Sequence, residues 1–477
     1  MRNKFYAVIV VVTFLVSLSA CQKRLDIVPF QSLPPAQGLV TESDLGGVLI
    51  GAYDALQSTS SYGGDIQLMG DLWANRAYIR FRGTFNGLLQ IASVTTTSNP
   101  IAVDNGWASS LWSNAYRAIN SCNLVLANLN LVTSSTSKRS RIEAEALFIR
   151  GSLYFELARL FGKSWGDGDN SVNPCVPLVL TPTPFEVSGL TSANYPARAS
   201  VAAVYAQAIA DLQKAAAQLP VTNLHYATKA AAWGQLSRIA LMQAEYAVAR
   251  DMANNAILDF QGRGIGLNPV FRDLFYTYIN FGGVAPREYI FYMRVTTQDG
   301  TNGLNTYYGQ TVSSIPGTAG RGDMDVQDAW VNLHAVADTR RAFFIRTNRR
   351  LTQKHLDRFG HVPVIRLAEM YLTRAEANFR LNTSVGATPA ADIKTIRDRV
   401  GLPEILPANL TLDNIILERR LELAFEGHFL HDVKRLRQSM PGSSFANGPA
   451  WNSPRLIMPI PQREMDVNKQ LVQNEGY

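Results

Sequence analysis

The sequence predicts a mainly helical protein, built of helical pairs that form a scaffold and broken by one irregular, loop-rich insertion with short strands. Three observations predict it. Apolar residues recur at spacings of three and four through long segments in both halves of the chain. Between Gln261 and His361 that period fails, and glycines and aromatics take over, from Gly262 to Gly322 and from Phe275 to Trp330. Within that stretch, R-E-Y-I-F-Y-M-R-V at 287–295 alternates well enough for a strand. The chain has 477 residues and ordinary globular composition, so a large core is affordable in surface terms.

In chain order, Arg2 and Lys4 precede an uncharged run from Phe5 to Leu18, which ends in L-S-A-C at 18–21. A positive start, a short apolar run and small residues before a cut site describe a secretory signal over 1–20. The Cys that follows makes it a bacterial lipobox, with Cys21 as the lipidated first residue of the mature protein. Two cysteines then remain, Cys122 and Cys175, too few for a disulfide framework. The formal charge of +7 drops by two with the signal. No Lys/Arg run alternates with aromatics, which argues against nucleic acid. Residues 21–35 hold three prolines and no helical period, and read as an extended tether.

The helical body starts at Thr41. Asp71–Gly87, D-L-W-A-N-R-A-Y-I-R-F-R-G-T-F-N-G, interleaves aromatics with amide and guanidinium donors and has no sustained stripe. Flat apolar faces beside such donors suit sugar rings; burial of Trp73 in the core is the competing reading. Helices follow over Trp107–Leu131 and Arg141–Phe161, the second closed by Gly162 in the position expected of a C-terminal glycine. Prolines 174, 177, 182 and 184 mark 166–195 as a surface loop. Ser200–Leu219 is a helix stopped by Pro220, and Ala230–Met242 with Tyr246–Leu258 form an Ala-rich pair. These pairs resemble degenerate tetratricopeptide repeats.

After the insertion, Ile365, Ala368, Leu372, Ala375 and Phe379 stripe one helix. Thr411–Arg437 reads as another, of about seven turns, capped by Thr411. It carries Glu418, Glu422 and Glu426 at four-residue spacing, a row of like charges that costs roughly 0.2–0.5 kcal/mol per pair on an isolated helix. Arginines of the preceding helix, Arg366 and Arg374, are the expected counter-charges. Arg340, Arg341, Arg346, Arg349 and Arg350 read as a solvated basic face, and Arg321-Gly322-Asp323 as a chance triplet.

Four blocks in order, R-L-A-E-M-Y-L-T-R-A-E-A, I-R-D-R-V-G-L-P, E-R-R-L-E-L-A-F-E-G-H, and M-P-I-P-Q-R-E-M with Q-N-E-G-Y, resemble the C-terminal half of the SusD/RagB family of outer-membrane nutrient-binding lipoproteins. The helices at 107–131 and 141–161 resemble its N-terminal half. One departure is Phe429-Leu430-His431 before Asp432, where the family usually has an Arg and an aromatic. The resemblance implies an N-terminal helical region over 36–260, a ligand-facing insertion over 261–361 and a C-terminal helical region over 362–477. It also implies an oligosaccharide ligand, or a peptide as in some members. The implied partner is a SusC-like TonB-dependent transporter on which the protein acts as a hinged lid, at the outer membrane.

No G-x-S-x-G, H-E-x-x-H or P-loop occurs, so no catalytic residue, metal ligand or cofactor is assigned. His428, His431 and Asp432 lack a third ligand in view. A secreted glycoside hydrolase is the rival from another class, with no carboxylate pair singled out. The expected ligand platform comprises Trp73, Asn75, Arg76 and Tyr78 from the early loop, with Trp107, Tyr307, Tyr308 and Trp330. All are aromatics or donors, and the resemblance places the early loop and the insertion on one face.

Overall fold

The computed structural model describes residues 39–73, 75, 77–94, 101–183, 194–440 and 448–477. The signal, Cys21, the tether and Arg76 lie outside these residues. None of the described helices is long and apolar enough to cross a membrane.

Side-chain caps fix where the main helices begin. Thr41, Asn105, Ser135, Ser200, Thr228, Thr388 and Thr411 each accept a bond from an amide of the first turn, satisfying one of the donors a helix start leaves free. The helices are α1 (Glu42–Gln57), α2 (Asp65–Leu72), α3 (Asn86–Ala92), α4 (Gly106–Ala127), α5 (Thr136–Phe161), α6 (Val201–Gln218), α7 (Lys229–Met242) and α8 (Tyr246–Gly262). After the insertion come α12 (Leu367–Leu381), α13 (Pro389–Arg399), α14 (Leu412–Glu422), α15 (Phe429–Arg435) and α16 (Gln462–Val467).

Packing runs in succession, α1 on α4, α4 on α5, then α5, α6, α7 and α8 each on the next, α8 on α12 and α12 on α13. That is the tetratricopeptide-like stack. Small residues let the backbones close up. A Cβ on Gly151 of α5 would lie 2.9 Å from the Ala208 carbonyl oxygen of α6, and Ala249, Ala253 and Ala256 bury one face of α8. Buried two-pronged ion pairs set the register between layers. Arg150 of α5 holds Asp211 of α6 with two bonds of 2.8 Å, Arg238 of α7 holds Glu369 of α12, and Arg374 of α12 holds Asp392 of α13. Such pairs roughly break even in free energy against apolar residues, but their fork geometry tolerates little sliding. Gly162 does end α5, though with extended backbone. Glycine is required there because a Cβ would sit 2.8 Å from Cys175 Sγ. Cys122 and Cys175 are free, buried thiols.

The insertion contributes α9 (Thr277–Phe281), β2 (Tyr289–Met293), α10 (Gly303–Tyr308), β3 (Met324–Val326), α11 (Asp328–Val331), β4 (Phe344–Arg346) and β5 (Arg350–Thr352), with β6 (Val362–Arg366) leading into α12. Its own small core gathers Phe271, Leu274, Phe275, Tyr276, Tyr289 and Phe343. Antiparallel pairings stitch it to the body: β2 to β6, and β3 to β1 (Ile79–Phe81) in the early loop.

The segment 411–437 departs from the continuous helix its apolar stripe predicts. It ends as α14 at Glu422, turns, and resumes as α15. In the turn Phe425 takes φ +62° and Gly427 φ +85°. A Cβ on Gly427 would lie 2.6 Å from Gln67 Cα, and one on Gly70 would lie 2.1 Å from the Gly427 carbonyl oxygen. The Gly427 N–H donates to Asp71 Oδ2 at 2.7 Å. Backbone contact with α2 therefore replaces the helical bonds, a long-range gain that periodicity does not encode.

The acidic row is neutralised as charge balance requires, by a wider set of cations than expected. Arg366 binds Glu422 and Glu426, but Arg374 does not take part, being engaged with Asp392. Arg340 and Arg397 hold Glu418, Arg340 and Arg399 also reach Glu422, and Lys354 binds Glu426. Glu288 completes the network through Arg366 and Arg399. Arg340, read as part of a solvated face, is thus 2 % exposed and bonded to three carboxylates. Burial alone would raise Glu426, yet Arg366 and Lys354 hold it down at about 2.

Candidate functional site

The pairing of β1 with β3 sets Ile79 opposite Val326 and Phe81 opposite Met324, so the early loop and the insertion become neighbours despite their separation in sequence. The loop leaving β1 is pinned by Arg82 N–H donating to the Asp323 carbonyl at 2.7 Å. Gly83 follows because a Cβ there would meet the Phe81 ring at 2.4 Å and the Asp323 carboxyl carbon at 2.8 Å. The chain then presents Phe85 at the start of α3. Across from it, Asn105 caps α4 and also donates to the Gly87 carbonyl at 3.1 Å and to Gln90 Oε1 at 2.9 Å. This sets the Trp107 ring against Gly87, where a Cβ would approach the indole to 2.6 Å.

The result is an aromatic cluster in which Phe85 and Trp107 are partly exposed and Tyr307 is buried. Phe85 and Trp107 have ring centroids 5.5 Å apart, and Phe85 and Tyr307 are 6.1 Å apart, edge to face in both cases. The Arg321 guanidinium stands 4.6 Å over the Phe85 ring. Arg321 Nε donates to Asp323 Oδ2 at 2.8 Å, which fixes the fork while leaving the side chain 41 % exposed. Burial raises the Tyr307 phenol, the Asp65 charge adds to the shift, and a bond from the Trp107 side chain opposes it. Aromatic surfaces with a guanidinium at their margin offer a sugar ring an apolar contact and hydroxyl-binding donors in one place.

Of the expected platform residues, the structure brings Trp107 and Tyr307 together here. It seats the others in the core. Trp73 is fully buried at the end of α2. Asn75 is 2 % exposed, with its carbonyl accepting from the Tyr78 and Ile79 amides. Tyr78, Tyr308 and Trp330 do converge, but around the turn that interrupts 411–437. Tyr78 packs edge-on to Trp330 at 5.0 Å and to Phe429 at 5.8 Å, while Trp330 and Tyr308 pack on Phe425 at 5.5 and 5.8 Å. These faces cover one another, so none is left for a ligand from solvent. Phe85 and Arg321 are site residues that pattern reading passed over. The signal for Phe85 was its place after the R-F-R-G-T run; Arg321 became meaningful only once β3 paired with β1.

Not every concave place suits a polyhydroxylated ligand. A cavity of about 520 Å³ between α6, α7 and α8 is walled by Ile209, Trp233, Leu236, Val248 and Met252. It has one aromatic and few donors. Burial pushes His428 down to about 3 and His431 well below its usual value, so both rings are neutral in the interior. Among the described residues no group of three or more His, Cys, Asp or Glu is arranged to hold a metal ion.

Comparison with known proteins agrees along the chain. A family model described as "SusD family" matches residues 287–477, and one described as "Starch-binding associating with outer membrane" matches 69–241. SusD-like protein P2 of Formosa agariphila is 25 % identical, with 98 % of each chain covered. The starch-binding protein SusD of Bacteroides thetaiotaomicron is 32 % identical over 123 residues, 24 % of this chain and 21 % of that one. Among solved structures, a putative sugar binding protein from Bacteroides vulgatus superposes with a TM-score of 0.78 at 26 % identity, covering 92 % of this chain and 99 % of the other. Surface glycan-binding protein A from Bacteroides uniformis gives 0.71 at 21 % identity, covering 91 % and 99 %, a likeness of fold.

Proposed function

The chain belongs to the SusD family, and from that premise we propose that it is a surface carbohydrate-binding protein whose platform is the Phe85, Trp107, Tyr307 and Arg321 cluster. The observation that carries the reading is that cluster itself: two half-buried rings, Phe85 and Trp107, backed by the buried Tyr307, and an oriented guanidinium where the early loop meets the insertion. The rings are held by Gly87, Asn105 and the β1–β3 pairing, so the surface is formed before any ligand arrives. Relatives whose names or descriptions mention starch or sugar support the ligand class, and "associating with outer membrane" supports the location.

The finer reading is a lipoprotein anchored through Cys21 that delivers an oligosaccharide to a SusC-like TonB-dependent transporter. Several acyl chains would give a firm anchor, since each buried CH₂ contributes about 0.8 kcal/mol. Mass spectrometry of the membrane-extracted protein tests it: an unmodified Cys21, or another first residue, refutes the anchor. Co-purification with the transporter from detergent-solubilised outer membrane tests the partner.

The platform is tested by titrating Trp107→Ala and Phe85→Ala with the strongest glycan from an array. One platform aromatic is worth about 1.5–3 kcal/mol by area, so affinity should fall roughly ten- to hundredfold, with melting temperature checked in parallel. Unchanged affinity in both variants refutes the platform. Release of reducing ends on incubation would refute the binding-only role.

A further inference from the structure

The aromatic cluster has a strongly cationic flank, and we infer that the preferred oligosaccharide is anionic, bearing carboxylate or sulfate groups; this rests on the glycan-binding reading above. Strand β1 alternates, with Ile79 and Phe81 turned inward and Arg80 and Arg82 exposed. Opposite Arg80 on β3 stands Asp325. That carboxylate is shared: Oδ2 accepts from Arg82 Nε and Nη2 at 3.2 Å, and Oδ1 accepts from the Arg350 backbone N–H at 3.2 Å. Arg350 opens β5, and its partner across the hairpin is Arg346. Arg349 Nη1 donates to the Gly322 carbonyl at 2.6 Å, one residue from Arg321 of the platform.

Six arginines (80, 82, 321, 346, 349 and 350) are therefore gathered by β1, β3 and the β4–β5 hairpin against three aspartates, Asp323, Asp325 and Asp328. Three positive charges are in excess. The side chains of Arg80 and Arg346 make no hydrogen bond or ion pair among the described residues, although the Arg346 charge helps to lower the Asp328 carboxyl, and both are exposed. The contrast with the buried network around Glu422 is informative. There Arg340, Lys354, Arg366, Arg397 and Arg399 meet an equal number of acids, Glu288, Asp338, Glu418, Glu422 and Glu426, and the interior balances. On the surface the balance is left open.

Setting Arg346 directly across from Arg350 is itself unfavourable in an antiparallel pair, where like charges repel. Free guanidinium forks bind carboxylate or sulfate oxygens bidentately. Beside a stacking surface they would read the acidic substituents of a sugar whose ring face lies on Phe85 and Trp107. A neutral glycan would leave the surplus charge unanswered.

The test is calorimetric titration of the full chain with an array of matched pairs: oligogalacturonides against their methyl esters, and sulfated galactan oligosaccharides against their desulfated forms. We expect an acidic member to bind at least tenfold more tightly than its neutral counterpart. The difference should shrink severalfold from low to high NaCl, because exposed charges are screened. It should also be lost in the Arg80→Gln/Arg346→Gln variant while the melting temperature is kept. If neutral members bind as well as acidic ones, and Trp107→Ala weakens both, the charge inference is overturned and the platform stands. If an acidic member binds and Trp107→Ala leaves its affinity unchanged, the platform reading fails, and this inference with it.

Discussion

Replacing Glu422 by Ala tests what holds the C-terminal half together. The carboxylate is fully buried and accepts from Arg340 Nη1 at 3.3 Å, Arg366 Nη1 at 3.1 Å and Arg399 Nη2. Burial would raise its pKa, but Arg399, Arg366 and Arg340 hold it far below the usual carboxylate range. Removing it leaves Arg340 with Asp338 and Glu418, Arg366 with Glu288 and Glu426, and Arg399 with Glu288 alone, yet the interior gains a net positive charge. Breaking a buried pair typically costs about 3–5 kcal/mol. At roughly 2.1 cal/mol/K per residue, the 477-residue chain loses about 1 kcal/mol per kelvin near its midpoint if it unfolds as one unit, so the melting temperature should fall by about 3–5 °C. Urea unfolding followed by tryptophan fluorescence, with glycan titration in parallel, is the assay. Because the folded pKa is depressed, the stabilisation is present above the unfolded value near 4.5 and is lost as pH falls toward the folded one. The wild type should therefore lose stability more steeply than Glu422→Ala on acidification. A variant of wild-type stability that no longer binds glycan would show that these acids form a ligand site and refute the structural reading.

Three further outcomes are expected. Gly427→Ala must hold φ +85° and push a Cβ against Gln67 Cα, so urea unfolding should show a loss of at least about 1–2 kcal/mol, and Gly70→Ala, which meets the same turn, should also destabilise. Burial, helped by the Glu426 charge, raises Asp71 to about 8, so the folded state holds a proton that the unfolded chain releases near 4. Stability should then fall as pH rises through that window, by up to about 1.4 kcal/mol per pH unit for this group, and Asp71→Asn should flatten the urea-midpoint profile there. Burial pushes the Cys122 and Cys175 thiols up to about 12, so both should resist a thiol reagent at neutral pH until the chain is unfolded; labelling of the native protein at the rate of a free thiol would contradict their placement.

The sequence by itself determined the helices, because their information is local. Period, caps and stops placed α5, α6, α7 and α8 within a few residues of where they lie, and Thr411 caps α14 through its bond from the Asn414 amide. It also showed that the acids at 418, 422 and 426 needed cations, since a row of like charges beside apolar residues cannot be buried alone. It did not determine which cations: Arg340 looked like surface, and only the return of the insertion onto α14 makes it an interior counter-charge. Tertiary structure likewise broke 411–437 into two helices. Gly427 meets α2 backbone to backbone, and a partner 356 residues away leaves no trace in a 3.6-residue period. The same limit divided the aromatics. Trp73 and Trp330 resemble Trp107 in composition of surroundings, but whether a ring faces solvent depends on what the chain brings against it. Phe425 and Phe429 close over Trp330 and Tyr78, whereas β3 arrives beside Phe85 and Trp107 with Arg321 and leaves their outer edges open.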